Sequence, residues 1–226
     1  AADAKNGRLL YSSYTSCMGE AVPYTVSVDH VRRAVVVALR GTLSVEDAFT
    51  DLLCTPASLD EAGRVWGFDG SKHHVHSGML RAAMKIRADI ETQGILHALM
   101  RVNMGGGDAS GQAAGGGGGA ADVTEEDRET FYRIMGRRAP YTPMFRSEAF
   151  ANAKELAELG DCSQYDVLVV GHSLGACMAS ILAVLLRPRF PRLQCIAYSA
   201  VGNIMSLELA EACAAWTLSV CLNHDI

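Results

Sequence analysis

The pentapeptide Gly171-His172-Ser173-Leu174-Gly175 combines residue types at a spacing that suits nucleophilic chemistry by a serine. A β-rich apolar run precedes it and a segment of helical composition follows it, so the sequence predicts a strand, a sharp turn carrying the serine, and a helix. The glycines on either side allow neighbouring backbone to approach closely. The G-x-S-x-G pattern alone should occur by chance in roughly one chain of this length in fifteen, so the prediction depends on the strand and the helix around it.

A serine nucleophile also needs hydrogen-bond donors for the negative charge that develops on the attacked oxygen. A helix that begins at Ser173 directs its free N–H groups and the positive end of its dipole towards that point. The turn supplies one well-placed N–H group, so a second loop is needed. Gly41 and Thr42 follow an apolar run, and two interpretations stay open: an ordinary turn between strand and helix, or a loop that supplies the second donor.

Three histidines, His73, His74 and His76, lie close together in the sequence. Zinc sites combine histidine with cysteine or acidic ligands at regular spacing, and no such partner lies at ligand spacing here. We therefore expect these histidines to be loop and packing residues, and we expect no metal.

The hydrophobic pattern predicts the elements that must hold these residues in place. Two β-rich runs, residues 22–29 and 34–40, predict an antiparallel hairpin. Apolar positions at helical spacing predict an amphipathic helix over residues 77–99, with Arg81, Lys85, Arg87 and Asp89 mostly outward. The segment 173–186 is apolar nearly all round, which predicts a buried helix. Further strands are predicted over residues 193–198 and 217–222, and further helices over residues 124–136, 145–159 and 207–215. The alternation predicts an α/β fold whose mostly parallel sheet is covered by helices on both faces.

The composition bounds both the fold and the function. A chain of 226 residues with 49% hydrophobic content can bury one sizeable core, so we expect a single α/β domain. The net charge of −5, without a long Lys/Arg run, argues against nucleic-acid binding. The seven cysteines lack C-x-x-C spacing, which indicates reduced cysteines in an intracellular protein. The longest apolar run, residues 181–186, is far shorter than the roughly 20 residues of a membrane span, and residues 1–10 lack a signal-peptide pattern.

Residues 103–121 form a glycine-rich stretch in the middle of the chain. Nine of the 22 glycines fall between residues 105 and 119. Such a segment gains too little burial to offset its ordering entropy. We therefore expect a flexible insertion within the domain, which gates access to Ser173.

Several segments resemble the class 3 lipases of the α/β-hydrolase superfamily, and among them the sn-1-specific diacylglycerol lipases. The similarity is carried by residues 35–44 (Val-Val-Val-Ala-Leu-Arg-Gly-Thr-Leu-Ser), by residues 76–79 (His-Ser-Gly-Met), and above all by residues 171–198, which run from Gly-His-Ser-Leu-Gly-Ala through Leu-Leu-Arg-Pro-Arg-Phe-Pro to Cys-Ile-Ala-Tyr. The resemblance covers most of the chain. It implies an α/β-hydrolase fold and a serine lipase that needs no cofactor. The implied substrate is diacylglycerol or a related acyl-ester lipid at a membrane surface, cleaved at the sn-1 ester to monoacylglycerol and free fatty acid through an acyl-enzyme.

The resemblance also implies roles for individual residues. Ser173 is the nucleophile, Thr42 of the Arg-Gly-Thr motif and the backbone N–H of Leu174 form the oxyanion hole, and Asp225 is the triad acid. In the family such a catalytic region is tethered to a membrane-spanning part, which implies a location on the cytoplasmic face of a membrane and a spanning region outside this chain. A different soluble esterase or phospholipase, and an inactive lipid-binding domain with the same fold, are the alternatives.

The triad histidine is expected after the acid, because the order along an α/β-hydrolase chain is Ser, acid, His. The seven histidines are His30, His73, His74, His76, His97, His172 and His224, and none follows Asp225. His172 is held in the turn beside Ser173, and His224 should point away from its neighbour Asp225. We therefore expect the base to lie beyond Ile226 and the 226 residues to be a catalytic domain that is incomplete at its C-terminus.

Overall fold

A computed structural model describes residues 7–13, 22–41, 55–100 and 159–222. Several predictions lie outside the described residues and stay predictions. They concern Thr42, His224, Asp225, the glycine-rich residues 103–121, the helix at 124–136 and most of the helix at 145–159.

The described chain contains eight strands and five helices. The strands are β1 (Gly7–Ser13), β2 (Tyr24–Asp29), β3 (Ala34–Leu39), β4 (Pro56–Ser58), β5 (His74–His76), β6 (Asp166–His172), β7 (Gln194–Tyr198) and β8 (Thr217–Val220). The helices are α1 (Asp60–Trp66), α2 (Ser77–Gln93), α3 (Ile95–Met100), α4 (Leu174–Leu186) and α5 (Leu207–Cys213).

A six-stranded sheet in the order β1-β2-β3-β6-β7-β8 forms the centre of the fold. The pairs β1–β2 and β2–β3 are antiparallel, and β3, β6, β7 and β8 are parallel to one another. The predicted hairpin and the mostly parallel sheet are therefore confirmed. Strand β1 was not predicted, and it extends the antiparallel side of the sheet.

Helix α4, which follows Ser173, lies against the middle of this sheet. It packs on β3, β6 and β7, and α2 packs on α4 in turn. All 13 residues of α4 are buried, which confirms the helix predicted from its apolar composition. Burial of such a helix fixes its start, and with it the turn that carries Ser173, relative to the sheet.

The single helix predicted over residues 77–99 is in fact two helices, α2 and α3, separated at Gly94. Gly94 has a φ of 64°, a left-handed conformation that glycine adopts without a steric penalty. Its N–H caps α2 by donating to Glu91 O and Ile90 O. Apolar positions continue across the break, which is why hydrophobic spacing alone gave one helix.

The outward orientation predicted for Arg87 is wrong. Its side chain is 1% exposed, and burial lowers the pKa of the guanidinium. The Nε atom forms an ion pair with Glu91 Oε1 at 2.8 Å, and Nη1 donates to the carbonyl of Leu185 on α4. A buried charge requires such partners. The carbonyl partner belongs to another helix, so the spacing within α2 could not indicate it.

The outward orientation predicted for Asp89 is wrong for the same reason. This side chain is 8% exposed, and its Oδ2 atom accepts hydrogen bonds from Tyr11 (2.8 Å) and Tyr24 (2.6 Å). Burial, reinforced by the neighbouring Asp89 carboxylate, raises the pKa of Tyr24 well above its ordinary value. Asp89 therefore ties α2 to both β1 and β2.

A small second sheet lies beside the central one and was not predicted. Strands β4 and β5 pair antiparallel, with α1 between them in the chain. The backbone of β5 also bonds to the loop after β7: His76 N donates to Ile204 O at 2.9 Å, and Ser206 N donates to His74 O at 2.8 Å. These bonds place the start of α2 next to the loop that follows β7.

Candidate active site

Ser173 occupies the turn between β6 and α4 in a conformation that a non-glycine residue rarely adopts. Its φ is 55° and its ψ is −127°. Positive φ in a residue with a Cβ costs about 1–3 kcal/mol and is retained where surrounding structure enforces it. Here Ser173 N donates to Tyr198 O at 2.9 Å, and Ala176 N donates to Ser173 O at 2.9 Å. The predicted strand, turn and helix are therefore present, with the serine half-buried at the turn.

The two glycines of the pentapeptide are required by close backbone contacts. A Cβ on Gly175 would lie 2.7 Å from Leu39 O and 2.8 Å from Arg40 O. A Cβ on Gly171 would overlap the carbonyl group of Gly175. Real Cβ atoms do not approach backbone this closely, so the turn exists only with glycine at both positions.

The start of α4 places a free N–H group and the positive end of the helix dipole at the turn. Leu174 is the first helical residue, so its N–H has no acceptor within the helix. The helix is buried and contains no charged side chain, so the positive end of its dipole at Ser173 is not offset from within the helix. The Leu174 N–H is thus suited to stabilise negative charge beside the Ser173 hydroxyl.

The loop after β3 reaches the same turn. A Cβ on Gly41 would lie 2.8 Å from His172 O and 3.8 Å from the Ser173 Cβ. Gly41 therefore contacts the serine turn directly and must be small. Thr42, the next residue, lies outside the described residues, and its role as an oxyanion donor stays a prediction.

Two of the described histidines, His76 and His172, belong to segments around the site. His76 caps α2, because its Nδ1 accepts a hydrogen bond from Met79 N at 3.3 Å. His172 is exposed at the end of β6. Over the described part of the chain, no group of His, Cys, Asp and Glu side chains is arranged to hold a metal. Asp225 and His224 lie outside the described residues, so the triad acid stays a prediction.

Sequence reasoning did not find the contact between α4 and the loop after β7. Cys177, one helical turn after Ser173, is fully buried, and its Sγ accepts a hydrogen bond from Val201 N at 3.3 Å. Burial raises the pKa of this thiol, which keeps it protonated and neutral. The four-residue spacing from Ser173 could have placed Cys177 on the same side of α4 as the serine. The sequence does not indicate the partner, because Val201 lies 24 residues further along the chain.

The loop after β7 and strand β5 enclose a cleft of about 610 Å³. We call it the β5 cleft. Its lining residues are Pro56, His74–His76 and residues 201–206. Ser173 is not among its lining residues, and one lining residue, Val201, is hydrogen-bonded to Cys177 on α4.

The mostly parallel sheet, the strained serine between β6 and α4, and the two obligatory glycines are features of an α/β-hydrolase fold. The model of the class 3 lipases matches residues 126–226. The chain is 29% identical over 215 residues to diacylglycerol lipase-alpha from Homo sapiens, covering 94% of this chain and 15% of that protein. It is 26% identical over 205 residues to diacylglycerol lipase-beta from Mus musculus, covering 91% of this chain and 21% of that protein. The C-terminal part of the chain, residues 126–226, is thus similar to the class 3 lipases, and the chain spans only a small part of the two diacylglycerol lipases.

Solved lipase structures share the fold. A fungal lipase from a lipase–inhibitor complex aligns with a TM-score of 0.55 at 15% identity, over 99% of this chain and 61% of that chain. A triacylglycerol lipase from Penicillium expansum aligns with a TM-score of 0.52 at 15% identity, over 96% of this chain and 58% of that chain. This likeness confirms the α/β-hydrolase fold expected from the sequence.

Proposed function

We propose that this chain is the catalytic region of a serine lipase that hydrolyses diacylglycerol at the sn-1 ester. The observation that carries the proposal is the strained conformation of Ser173 at the start of a buried, uncharged helix. A structural serine would gain nothing from that strain, whereas a nucleophile gains exposure and an adjacent N–H donor. The similarity to diacylglycerol lipases supports the choice of substrate.

The proposed reaction proceeds in two steps. The Ser173 Oγ attacks the ester carbonyl carbon and gives its proton to a histidine, which Asp225 orients. The Leu174 N–H and Thr42 donate hydrogen bonds to the oxyanion. The tetrahedral intermediate then collapses, the histidine protonates the departing alkoxide, and monoacylglycerol leaves. Water hydrolyses the acyl-enzyme by the reverse proton transfers and releases the fatty acid. No step requires a cofactor.

The proposed location is the cytoplasmic face of a membrane, where diacylglycerol is presented. Five cysteines in the described residues are free (Cys162, Cys177, Cys195, Cys213 and Cys221), which supports a reducing compartment. Within the described ranges, none of the helices has the length and apolar character needed to cross a membrane.

Labelling with a fluorophosphonate probe, followed by product analysis, tests this proposal. The wild-type protein should be labelled, and Ser173→Ala should lose both labelling and hydrolysis of diacylglycerol. The matched control is Ser180→Ala, because Ser180 lies on the same helix but is buried in the core, where its hydroxyl donates to Ala176 O. Labelling that persists in Ser173→Ala would place the nucleophile elsewhere. Hydrolysis of phospholipid in preference to diacylglycerol, or no hydrolysis at all, would favour a phospholipase or a lipid-binding domain.

A further inference from the structure

A single peptide unit connects the serine turn to strand β8. The Tyr198 carbonyl accepts the hydrogen bond from Ser173 N at 2.9 Å. The next N–H group in the chain, that of Ser199, donates to Val220 O at 2.8 Å. Both groups belong to the peptide bond between Tyr198 and Ser199, which we call the bridging peptide. A trans peptide is planar, and its C=O and N–H point in opposite directions. One rigid group therefore holds Ser173 and the end of β8 across two strand spacings, about 10 Å.

Ser199 leaves the sheet in a backbone conformation that preserves this bridge. Its φ is 51°, in the left-handed region that a non-glycine residue rarely adopts. Two residues later, Val201 N donates to Cys177 Sγ on α4 at 3.3 Å, and this thiol donates to Val201 O at 3.8 Å. The chain thus turns from the sheet to α4 within two residues of the bridging peptide. Rotation about the N–Cα bond of Ser199 makes this turn without tilting the peptide out of the sheet.

The two strained serines, Ser173 and Ser199, follow neighbouring strands. Their φ angles are 55° and 51°, and the parallel strands β6 and β7 that precede them are hydrogen-bonded to each other. Sparsely populated backbone conformations persist where the surrounding structure enforces them, and they concentrate at functional sites. The strain at Ser199 is therefore connected, through the bridging peptide, to the strain at Ser173.

The other end of the bridge lies on the strand that leads to the predicted triad acid. Val220 is the last residue of β8, and Asp225 lies five residues further along the chain. The hydrogen bond from Ser199 N fixes the end of β8 relative to β7. In a serine hydrolase, the nucleophile and the acid must both be within reach of one histidine. Their relative position is therefore critical for the proposed reaction.

We propose that Ser199 is a positioning residue whose left-handed conformation holds the bridging peptide, and that it thereby sets the position of Ser173 relative to the strand that leads to Asp225. This inference rests on the proposed serine lipase function and adds to it a residue that acts through the backbone of others. A residue that resists positive φ would relax by rotating the bridging peptide, which weakens both hydrogen bonds. A displacement of about 1 Å can lower a rate about a hundredfold, so kcat should depend on this conformation.

Two substitutions at Ser199 separate the backbone conformation from the side chain. Ser199→Gly and Ser199→Val both remove the hydroxyl, but glycine adopts positive φ freely whereas a β-branched residue resists it. A difference between the two variants therefore reports the conformation. Arg33→Val is the matched control, because Arg33 has a φ of 52°. Arg33 lies in the turn before β3, at the end of the sheet opposite Ser173.

The first measurement is kcat and KM of the full-length protein on nitrophenyl butyrate. We expect Ser199→Val to lower kcat by about tenfold or more with little change in KM, and Ser199→Gly to retain most of the wild-type kcat. Arg33→Val should keep both constants. Equal kcat in the two Ser199 variants, or a loss confined to KM, would overturn the proposal. If Ser199→Val does not fold, Ser199→Ala takes its place, since alanine is also strained at positive φ.

Hydrogen exchange of the Ser173 amide separates failure of this inference from failure of the proposed function. This N–H donates to the bridging peptide, so its exchange should be about fivefold faster or more in Ser199→Val than in Ser199→Gly. Arg33→Val should match the wild-type protein. Equal exchange in the two Ser199 variants would refute the bridge even if the wild-type protein hydrolyses esters. Faster exchange in Ser199→Val, together with a wild-type protein that hydrolyses no ester, would support the bridge and refute the lipase function.

Discussion

The arrangement around Ser173 depends on a few residues that are small or polar for identifiable reasons. Gly171 and Gly175 are fixed by backbone carbonyls that a Cβ would overlap. Gly41 is fixed by the backbone of His172. Cys177 is different, because its buried thiol accepts a hydrogen bond from Val201 N and donates one to Val201 O, on the loop that borders the β5 cleft. Residues of both kinds hold the turn that carries Ser173 in place relative to its surroundings.

At the residue scale, we predict that Cys177→Ala loosens the loop after β7. Loss of the Sγ acceptor leaves Val201 N without its hydrogen bond, which is worth about 1 kcal/mol. The hydrogen-exchange rate of the Val201 amide should rise by about fivefold, and Cys177→Ser, which retains an acceptor, should restore part of the protection. Cys213→Ala, at a buried thiol on α5, is the control. Identical Val201 exchange in Cys177→Ala and the wild-type protein would contradict this role.

At the scale of elements, two charged side chains connect helix α2 to α4 and to the strands β1 and β2. Arg87 reaches the carbonyl of Leu185 on α4, and Asp89 accepts from tyrosines on β1 and β2. Buried charges are tolerated only with such partners, and removing one partner costs more than the bond itself contributed. The position of α2 is thereby specified by polar contacts as well as by its apolar side chains.

This network predicts a pH dependence of stability. Because the folded-state pKa of Tyr24 lies far above its ordinary value of 10.0, the unfolded chain loses this proton near pH 10 while the folded protein keeps it. The contribution of Tyr24 to the free energy of unfolding is therefore fully present below pH 10. It decreases by about 1.4 kcal/mol for each pH unit above 10. Denaturant unfolding should show that the wild-type protein is more stable than Tyr24→Phe by about 1–3 kcal/mol at neutral pH. The difference should narrow above pH 10.

Tyr198→Phe is the control for this experiment, since the Tyr198 side chain is 42% exposed. Its unfolding free energy should follow that of the wild-type protein across the same pH range. A constant difference between the wild-type protein and Tyr24→Phe up to pH 11 would show that Tyr24 is not the group responsible.

At the scale of the whole molecule, the two outer strands of the described sheet differ in how well they are protected against pairing with another chain. Strand β1 carries Arg8, a charged residue of the kind that discourages pairing with another chain. Strand β8 (Thr-Leu-Ser-Val) has no charge, and Leu218 and Val220 on it are 59% and 38% exposed. Exposed apolar edge strands of this kind favour association.

We predict that residues 1–226 expressed alone associate through β8. Leu218→Lys should shift the sedimentation profile towards the monomer by placing a charge on that strand. Leu9→Lys is the matched control, because Leu9 on β1 is equally exposed at 59%, and it should leave the profile unchanged. An equal effect of both substitutions would mean that β8 is not the surface involved.

The sequence was sufficient where a structural requirement is local. The serine turn, the buried helix after it and the hairpin of β2 and β3 could be predicted because glycine spacing, apolar composition and β-rich runs report on the immediate backbone. The start of α4 at Leu174, and hence the candidate N–H donor, was accessible by the same reasoning. Family resemblance added roles for Thr42 and Asp225, which stay predictions.

Only the tertiary structure decided the features that join distant parts of the chain. The burial of Arg87 and Asp89, the contact of Gly41 with the serine turn, and the bond from Val201 to Cys177 each connect residues far apart in sequence. The spacing of residues within one helix or strand cannot predict a partner on a different element, because the packing of the elements determines which residues meet. The sequence by itself thus determined the serine turn and the class of fold. The packing of α2, α4 and the loop after β7 decided which side chains are buried around the serine turn. It also decided where the β5 cleft lies.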